Sequence, residues 1–521
     1  MQTYHIFWAD DEIELLKPHI LFLEKKGYTI HPFKSATEVL DALDEANCDI
    51  IFLDENMPGM TGLEAIPHIK EKKPNTPIIM ITKSEEEHIM EEAIASKISD
   101  YLIKPLNPNQ ILLAIKKLTE NKRLVSERTN MSYQQDFRNI SMAFSDYMDH
   151  EEWTDIYNKL IFWELEIEQS SDNSMSEVLE MQKTDANVNF TKFIKENYVD
   201  WLNDPEVDKP LLSHQIMKEK VFPHLKNSDQ PVFFVVIDNL RSDQWKVLQP
   251  IFNEYFNTEE ESSYFSILPT TTAYSRNSIF SGMLPLEMSK HYPDLWEGED
   301  SDEGKNNAED AFLERQLRRN NLDIKWSYHK IKQLNQGKQL ADNINNLMNN
   351  QLNVIVYNFV DMLSHARTEM EVIRELAPNE SAYRSLTKSW FMHSPLLEIF
   401  QKLAKKDVKV VLTTDHGTMR VKKPYKIIGD RNTNTNLRYK QGKNLSFDED
   451  KVFVARDPKK FHLPQVNVST AYVFSTEDYF FAYPNNYNYY VNYYKDTFQH
   501  GGVSLEEMII PLVTLQSKNG K

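Results

Sequence analysis

Residues 232–239 read VFFVVIDN, six consecutive apolar residues that end on an aspartate. A short run rich in β-branched and aromatic residues, without polar alternation, is the pattern of a strand buried on both faces. Two later stretches repeat it. VIVYNFVDMLSH (354–365) passes from a strand into a segment carrying Asp361 and His365, and VKVVLTTDHG (408–417) ends on Asp415 and His416. Open α/β sheets bind ligands at the carboxyl ends of their strands, so the three runs converge on one edge. The pattern predicts an α/β domain over 226–521 with its chemistry at that edge.

Other residues join this set. Asp361 and His365 are four apart, so a helical turn projects both to one face. SILPTTTAYSRNSIFSGMLP (266–285) places three threonines before a small-residue helix, whose N-terminal N–H groups favour an anion. A threonine there is by itself an N-cap, and its hydroxyl becomes a nucleophile only beside a cation. HGGVSLEEMIIP (500–511) opens on His500, and its glycines permit close backbone approach. Mixed carboxylate and imidazole ligands suit Zn²⁺ or Mn²⁺ rather than Ca²⁺. The ordered set Asp238, Thr272, Asp361, His365, Asp415, His416 and His500 points to two-metal phosphoryl transfer. Arg276, one helical turn beyond Thr272, is placed either to clamp a phosphate oxygen or to make a helix-surface salt bridge.

The first 119 residues alternate differently. YHIFWA, YTIHPF, DIIFLD, TPIIMIT and SDYLIKP are short apolar strands separated by helical spacings such as EIELLKPHILFLEKKG and SATEVLDALDEA. This (βα)5 pattern predicts a doubly wound parallel sheet. Asp10, Asp11, Asp54, Thr82 and Lys104 fall at strand ends, and three carboxylates there make a natural hard-cation site. An aspartate in that setting can accept a phosphoryl group, with the metal and Lys104 balancing its charge.

Between them, residues 120–225 read as amphipathic helices packed in a small bundle, with apolar spacing through Ile140, Phe144, Tyr147, Trp153, Ile156, Leu160 and Trp163. Acidic residues from 121 to 227 number 20 against 12 basic ones, which argues against a DNA-reading face. Such a bundle transmits a signal, forms a dimer interface, or is a passive spacer.

The whole chain of 521 residues carries 59 Lys and Arg against 78 Asp and Glu, a net charge of −19. That balance disfavours duplex DNA and anionic membranes. A single cysteine, Cys48, excludes an internal disulfide framework and CxxC metal sites. With no signal peptide and no spanning apolar run in view, the expected location is the cytoplasm. Two local features stand out. Eight basic residues between Gly417 and Asn444 (Arg420, Lys422, Lys423, Lys426, Arg431, Arg438, Lys440, Lys443) suggest a landing strip for phosphates. Twelve aromatics from Tyr472 to Phe498 offer faces for base stacking, although most suit a sheet core.

The first segment, with LDENMPGMTG around Asp54, resembles the receiver domain of two-component response regulators. That resemblance implies Asp54 as phosphoacceptor, Mg²⁺ held by Asp10, Asp11, Asp54 and Asn56, and Thr82, Tyr101 and Lys104 as switch residues. It also implies a cis Lys104–Pro105 bond. The C-terminal ligand set resembles the alkaline phosphatase superfamily, and within it the PglZ family, with an α/β sandwich fold. PTTTAYSRNSIFSG is also similar to nucleotide pyrophosphatase/phosphodiesterases, whose nucleophile is a threonine. The resemblance implies one zinc held by Asp238, Thr272, Asp415 and His416 and another by Asp361, His365 and His500. Thr272 is then the nucleophile, with Thr271 as the alternative. Receiver, helical middle and PglZ-like domain together resemble PorX-type response regulators. That similarity implies a sensor histidine kinase, a homodimer on phosphorylation, and a link to type IX secretion genes through a sigma factor. Two functions are expected on these grounds: a zinc phosphodiesterase acting on nucleotides or short oligonucleotides, or a non-catalytic adaptor that binds a protein partner.

Overall fold

A computed structural model describes residues 4–518 except 75, 84–97, 145, 171–174, 227–229, 297–306, 430–432, 466 and 483, and gives backbone alone for 45 and 119–130. The chain forms two compact units, Met1–Ser132 with Ser170–Asp172, and Tyr133–Gln169 with Asn173–Lys521.

In the first unit, strands β1 (His5–Ala9), β2 (Thr29–Phe33), β3 (Ile50–Asp54), β4 (Ile78–Thr82) and β5 (Asp100–Ile103) pair in the order β2-β1-β3-β4-β5. All four pairings are parallel. Parallel strands share one carboxyl edge, so Asp10, Asp54, Thr82 and Lys104 meet there. Both faces are apolar: Phe7, Leu53 and Met80 pack on one side, and Ile6, Phe52 and Ile79 on the other. The helix expected between β4 and β5 lies outside the described residues.

The second unit is built on a six-stranded sheet. Its parallel part comprises β6 (Val232–Ile237), β8 (Trp326–Ile331), β9 (Leu352–Tyr357) and β10 (Lys409–Thr413). β7 (Phe256–Phe265) lies at one edge, joined to β10 through the antiparallel C-terminal strand Ile509–Ser517. The VFFVVI run divides as a doubly covered strand must: Phe233, Val235 and Ile237 pack on one face, Val232, Phe234 and Val236 on the other.

The middle of the chain is helical, with helices Pro108–Ala143, His150–Gln169 and Ser176–Asn203. From Tyr133 onward it is not a bundle closed on itself. Trp153, Phe190, Tyr198 and Trp201 belong to one hydrophobic core with Phe265, Tyr439, Phe453 and Phe461 of the α/β domain. Phe190 and Trp201 both lie against Phe265, with ring centroids 6.0 Å and 5.6 Å apart. A buried ion pair reinforces the seam, with Glu164 3.0 Å from Arg384, and Glu164 also pairs with Lys183 of the neighbouring helix at 2.8 Å. The helices' apolar faces are too wide to be satisfied by each other and close on the edge of the sheet instead. Among the described residues no helix is long and apolar enough to cross a membrane.

Candidate functional site

The residues following β6, β9 and β10 come together at the carboxyl edge of the sheet. Register fixes this: Thr413 of β10 pairs Val236 of β6, and Ile237 pairs Tyr357 of β9. Asp238, Asp415 and His416 therefore emerge side by side. One ligand atom from each lies within 4.8 Å of the others, and all three residues are buried. Asp361 and His365 sit one turn apart on the helix Phe359–Glu369, and with His500 they form a second such group. His365 Nε2 is 3.6 Å and His500 Nε2 3.7 Å from the Asp361 carboxylate. The two groups adjoin. The His416 and His500 rings stack with centroids 4.2 Å apart, and His365 stands edge-on to His500 at 6.3 Å.

Thr272 begins the turn Thr272–Arg276, and its Oγ1 lies 3.1 Å from His416 Nε2. Its neighbours do other things. Thr270 Oγ1 donates to Gly502 O and accepts from Gly501 N, each at 3.0 Å, which ties this turn to the loop after His500. Thr271 stands at the N-cap position of the turn, and its Oγ1 is buried without a hydrogen-bond partner among the described residues. Gly501 adopts φ +124, and a Cβ there would come within 2.7 Å of the Tyr439 ring. Glu507 secures the loop by accepting from Gly502 N at 2.9 Å, while its carboxylate pairs with buried Arg438 at 2.6 Å.

Arg276 is fully buried, neither on the helix surface nor facing an open site. Its guanidinium meets the Asp238 carboxylate, Asp415 Oδ2 at 3.0 Å and Glu309 Oε1 at 3.4 Å. Burial pushes the Asp238 carboxyl well above the usual carboxylate range, against the pull of Arg276. Burial acts on Asp415 in the same direction, but Arg276 and then His416 override it and hold that carboxyl low. Burial holds His500 well below the ordinary imidazole value, helped by its neighbours His416 and His365.

This donor set fits divalent ions. Asp238 Oδ2 is buried and accepts no hydrogen bond from the described residues, and its other oxygen faces the Arg276 guanidinium. A carboxylate oxygen so placed is costly unless a cation meets it. The carboxylate–imidazole mixture is of the kind that binds transition metals.

Two contributors were not singled out from the sequence. Asn239, at φ 65, turns the chain after β6 and donates through Nδ2 to Asp361 Oδ1 and Ser364 Oγ, each at 3.3 Å. The Ile-Asp-Asn ending of the strand was its signal, since asparagine tolerates that conformation. Glu309 left no signal, because it follows a stretch without periodicity. The basic island does not form one strip: Arg438 is buried against Glu507, Lys422 pairs with Glu180, and Lys423 lies 2.9 Å from Asp478. Arg431 lies outside the described residues. The aromatic stretch divides, with Tyr472, Phe474, Phe480, Phe481 and Phe498 in the core and Tyr487–Tyr494 forming a helix without buried residues.

In the first unit, Asp10, Asp11 and Asp54 offer oxygens within 4.8 Å of one another. Lys104 Nζ spans Asp10 at 2.9 Å and Asp54 at 2.8 Å, and Lys104–Pro105 is cis. Burial raises the Asp54 carboxyl above its ordinary value, the Asp10 charge adding to it and the Lys104 hydrogen bond opposing it. Thr82 donates to Glu55, while Tyr101 and Asn56 are exposed.

Comparison with known proteins covers nearly the whole chain. The BREX system PglZ alkaline phosphatase-like domain matches residues 216–515, the PorX response regulator linker domain residues 123–202, and the response regulator receiver domain residues 6–116. The transcriptional regulatory protein ResD of Bacillus subtilis (strain 168) is 36% identical over 113 residues, which is 22% of this chain and 47% of ResD. The C4-dicarboxylate transport transcriptional regulatory protein DctD of Rhizobium meliloti (strain 1021) is 31% identical over 126 residues, 24% of this chain and 27% of DctD. The chain thus spans less than half the length of these relatives. Among solved structures, the chemotaxis protein CheY4 of Vibrio cholerae is 27% identical, covers 22% of this chain and 99% of its own, and gives a TM-score of 0.22. With a PglZ alkaline phosphatase-like domain over more than half its length, behind a receiver domain and a PorX linker, the chain belongs to the PglZ family and has the PorX-type response-regulator architecture.

Proposed function

We propose that this chain is a phosphorylation-regulated, zinc-dependent phosphodiesterase acting on nucleotides or short linear or cyclic oligonucleotides. The observation that carries the reading is the Thr272 hydroxyl 3.1 Å from His416 Nε2, beside two adjoining clusters of ligand-type side chains. An adaptor has no need of a nucleophile in that position.

Asp238, Asp415, His416 and Thr272 would hold one zinc, and Asp361, His365 and His500 the other. Bound there, divalent ions lower the pKa of a hydroxyl and neutralise charge that develops on transferring oxygens. Thr272 Oγ forms the new bond to phosphorus as the bond to the leaving oxygen breaks, giving a phosphothreonine and a free alcohol. The Thr272 proton is lost to solvent and the leaving oxygen takes one up. Water then cleaves the phosphothreonine, regenerating the hydroxyl. Arg276 fixes Asp238 and Asp415 as a pair rather than touching substrate, and Asn239 orients Asp361.

In the receiver, Asp10, Asp11 and Asp54 would hold Mg²⁺, and Asp54 accepts phosphate from a sensor histidine kinase. By its resemblance to PorX-type response regulators, the chain would dimerise on phosphorylation and be linked to type IX secretion genes through a sigma factor. The test is hydrolysis of a generic phosphodiester and a panel of linear and cyclic oligonucleotides by zinc-supplemented protein. Turnover removed by Thr272→Ala and by a chelator is the expected result. Absence of turnover from metal-loaded protein, with Asp54 phosphorylated or not, would leave a non-catalytic adaptor.

A further inference from the structure

The two clusters are not equally open. Asp238, Asp415 and His416 are buried, whereas the His365 side chain is 61% exposed and Met362 beside it is also exposed. The open side of the two clusters is thus the helix Phe359–Glu369. Two residues past His365, ~3 Å along the axis, that helix carries Arg367, and Arg374 and Arg420 lie beside it.

Arg367 is buried and donates to Ala377 O and Asp496 O, each at 2.5 Å, and to Pro378 O at 3.3 Å. Arg374 donates to Thr368 O at 2.6 Å and Arg420 to Pro378 O at 3.1 Å. These partners are backbone carbonyls. Arg420 has one carboxylate, Asp496 at 3.1 Å, and among the described residues Arg367 and Arg374 have none within ion-pair distance. The Nε atoms of Arg374 and Arg420 are buried without an acceptor among the described residues. Three arginines are thus held side by side largely by backbone carbonyls, with Asp496 the one carboxylate in ion-pair distance among the described residues.

Against it lies the helix Tyr487–Tyr494. Tyr487, Val491 and Tyr494 lean on Val421, Phe480 and Ala482. The opposite face carries Tyr489, 63% exposed, stacked on Tyr493 with centroids 6.1 Å apart and planes 16° from parallel. The Arg374 guanidinium sits 5.7 Å from the Tyr493 ring. Gln499, adjacent to His500, reaches Thr368 Oγ1 at 3.5 Å, which links this surface to the second cluster.

We propose that Tyr489, Tyr493, Arg374 and Arg420 form a subsite for the nucleotide next to the scissile phosphodiester of a single-stranded oligonucleotide. The tyrosine pair stacks on its base and the arginines meet its phosphate. Aromatic faces interleaved with arginine suit single strands, because every base presents a π-face. Exposed Met370, Val372 and Leu376 nearby would suit an apolar peptide, but the charge favours a polyanion. This subsite rests on the diesterase reading above.

The experiment compares kcat/KM for a single-stranded tetranucleotide with that for bis(4-nitrophenyl) phosphate, using the full zinc-loaded chain. Replacing both Tyr489 and Tyr493 by Ala should lower that ratio about tenfold, and replacing both by Phe should restore it. A ratio unmoved by the Ala pair overturns the subsite, as does an equal loss on both substrates. Fluorescence anisotropy of a labelled oligonucleotide on zinc-loaded Thr272→Ala protein separates the two proposals. Binding weakened by Arg374→Gln and by the Ala pair supports the subsite even if no diester is hydrolysed, an outcome that removes only the catalytic reading. Binding indifferent to all of these changes overturns the subsite and leaves the surface to a peptide.

Discussion

Thr272 Oγ1 lies 3.1 Å from His416 Nε2, while the hydroxyl one residue earlier, Thr271, is buried without a partner among the described residues. Two adjacent threonines thus have different environments, and one faces the ligand cluster. Thr272→Ala should lower diester turnover at least about a thousandfold while the protein keeps its zinc by elemental analysis. Thr272→Ser should keep measurable turnover, since it retains the hydroxyl. Thr271→Ala should stay within about tenfold of the parent. Equal collapse of Thr271→Ala would move the nucleophile one residue.

Arg276 stands among three buried carboxylates, Asp238, Asp415 and Glu309. Removing one partner of a buried ion pair costs about 3–5 kcal/mol, because the others stay buried and uncompensated. Arg276→Leu should therefore lose about that much stability in chelator, measured by urea denaturation. Zinc should recover part of the loss, because an ion held by Asp238 and Asp415 supplies charge and binds only the folded state. A variant as stable as the parent in chelator would show that Arg276 does not hold these carboxylates together.

The reach and the limit of sequence reasoning have the same physical origin. VFFVVIDN and VKVVLTTDHG announce doubly buried strands because strand burial is written in consecutive residues, and a ligand at a strand end follows from where the run stops. The receiver was equally open to reading, with Asp10 and Asp11, Asp54, Thr82 and Lys104 falling at four of its five strand ends. What lies across space was not. The apolar faces of Trp153, Phe190 and Trp201 show that their helices are covered but not by what, and Phe265 and Tyr439 are far away in sequence. Arg276 offered a surface reading because Glu309 and Asp415 carry no periodic tie to it. Arg438 counted as part of a basic strip until Glu507 was found beneath it.

His214 titrates where a stability measurement can see it. Burial, then the positive neighbours His462 and Lys209, lowers its imidazole from 6.5 to about 4. The unfolded chain therefore binds the extra proton between those values and the folded chain does not. Stability from this group is complete above pH 6.5 and is lost as pH falls toward 4. Arithmetic from the shift gives about 2 kcal/mol lost by pH 5. The stability lost between pH 7 and pH 5, read from urea denaturation, should be smaller in His214→Gln than in the parent by about that amount. An identical pH dependence in both proteins would assign the effect elsewhere.

In the receiver, the Thr82 hydroxyl is engaged by Glu55 while Lys104 spans Asp10 and Asp54. A phosphoryl group on Asp54 adds strong acceptor oxygens and charge, so it competes for both donors. Acetyl phosphate with Mg²⁺ should label the parent and not Asp54→Asn, as read on a phosphate-affinity gel. Thr82→Ala keeps the acceptor and the three carboxylates, so it should be labelled too. With its hydroxyl gone, any change in diester hydrolysis on phosphorylation should shrink severalfold relative to the parent. If Thr82→Ala responds as fully as the parent, the exchange of Thr82 from Glu55 to the phosphate is not how the receiver reports its state.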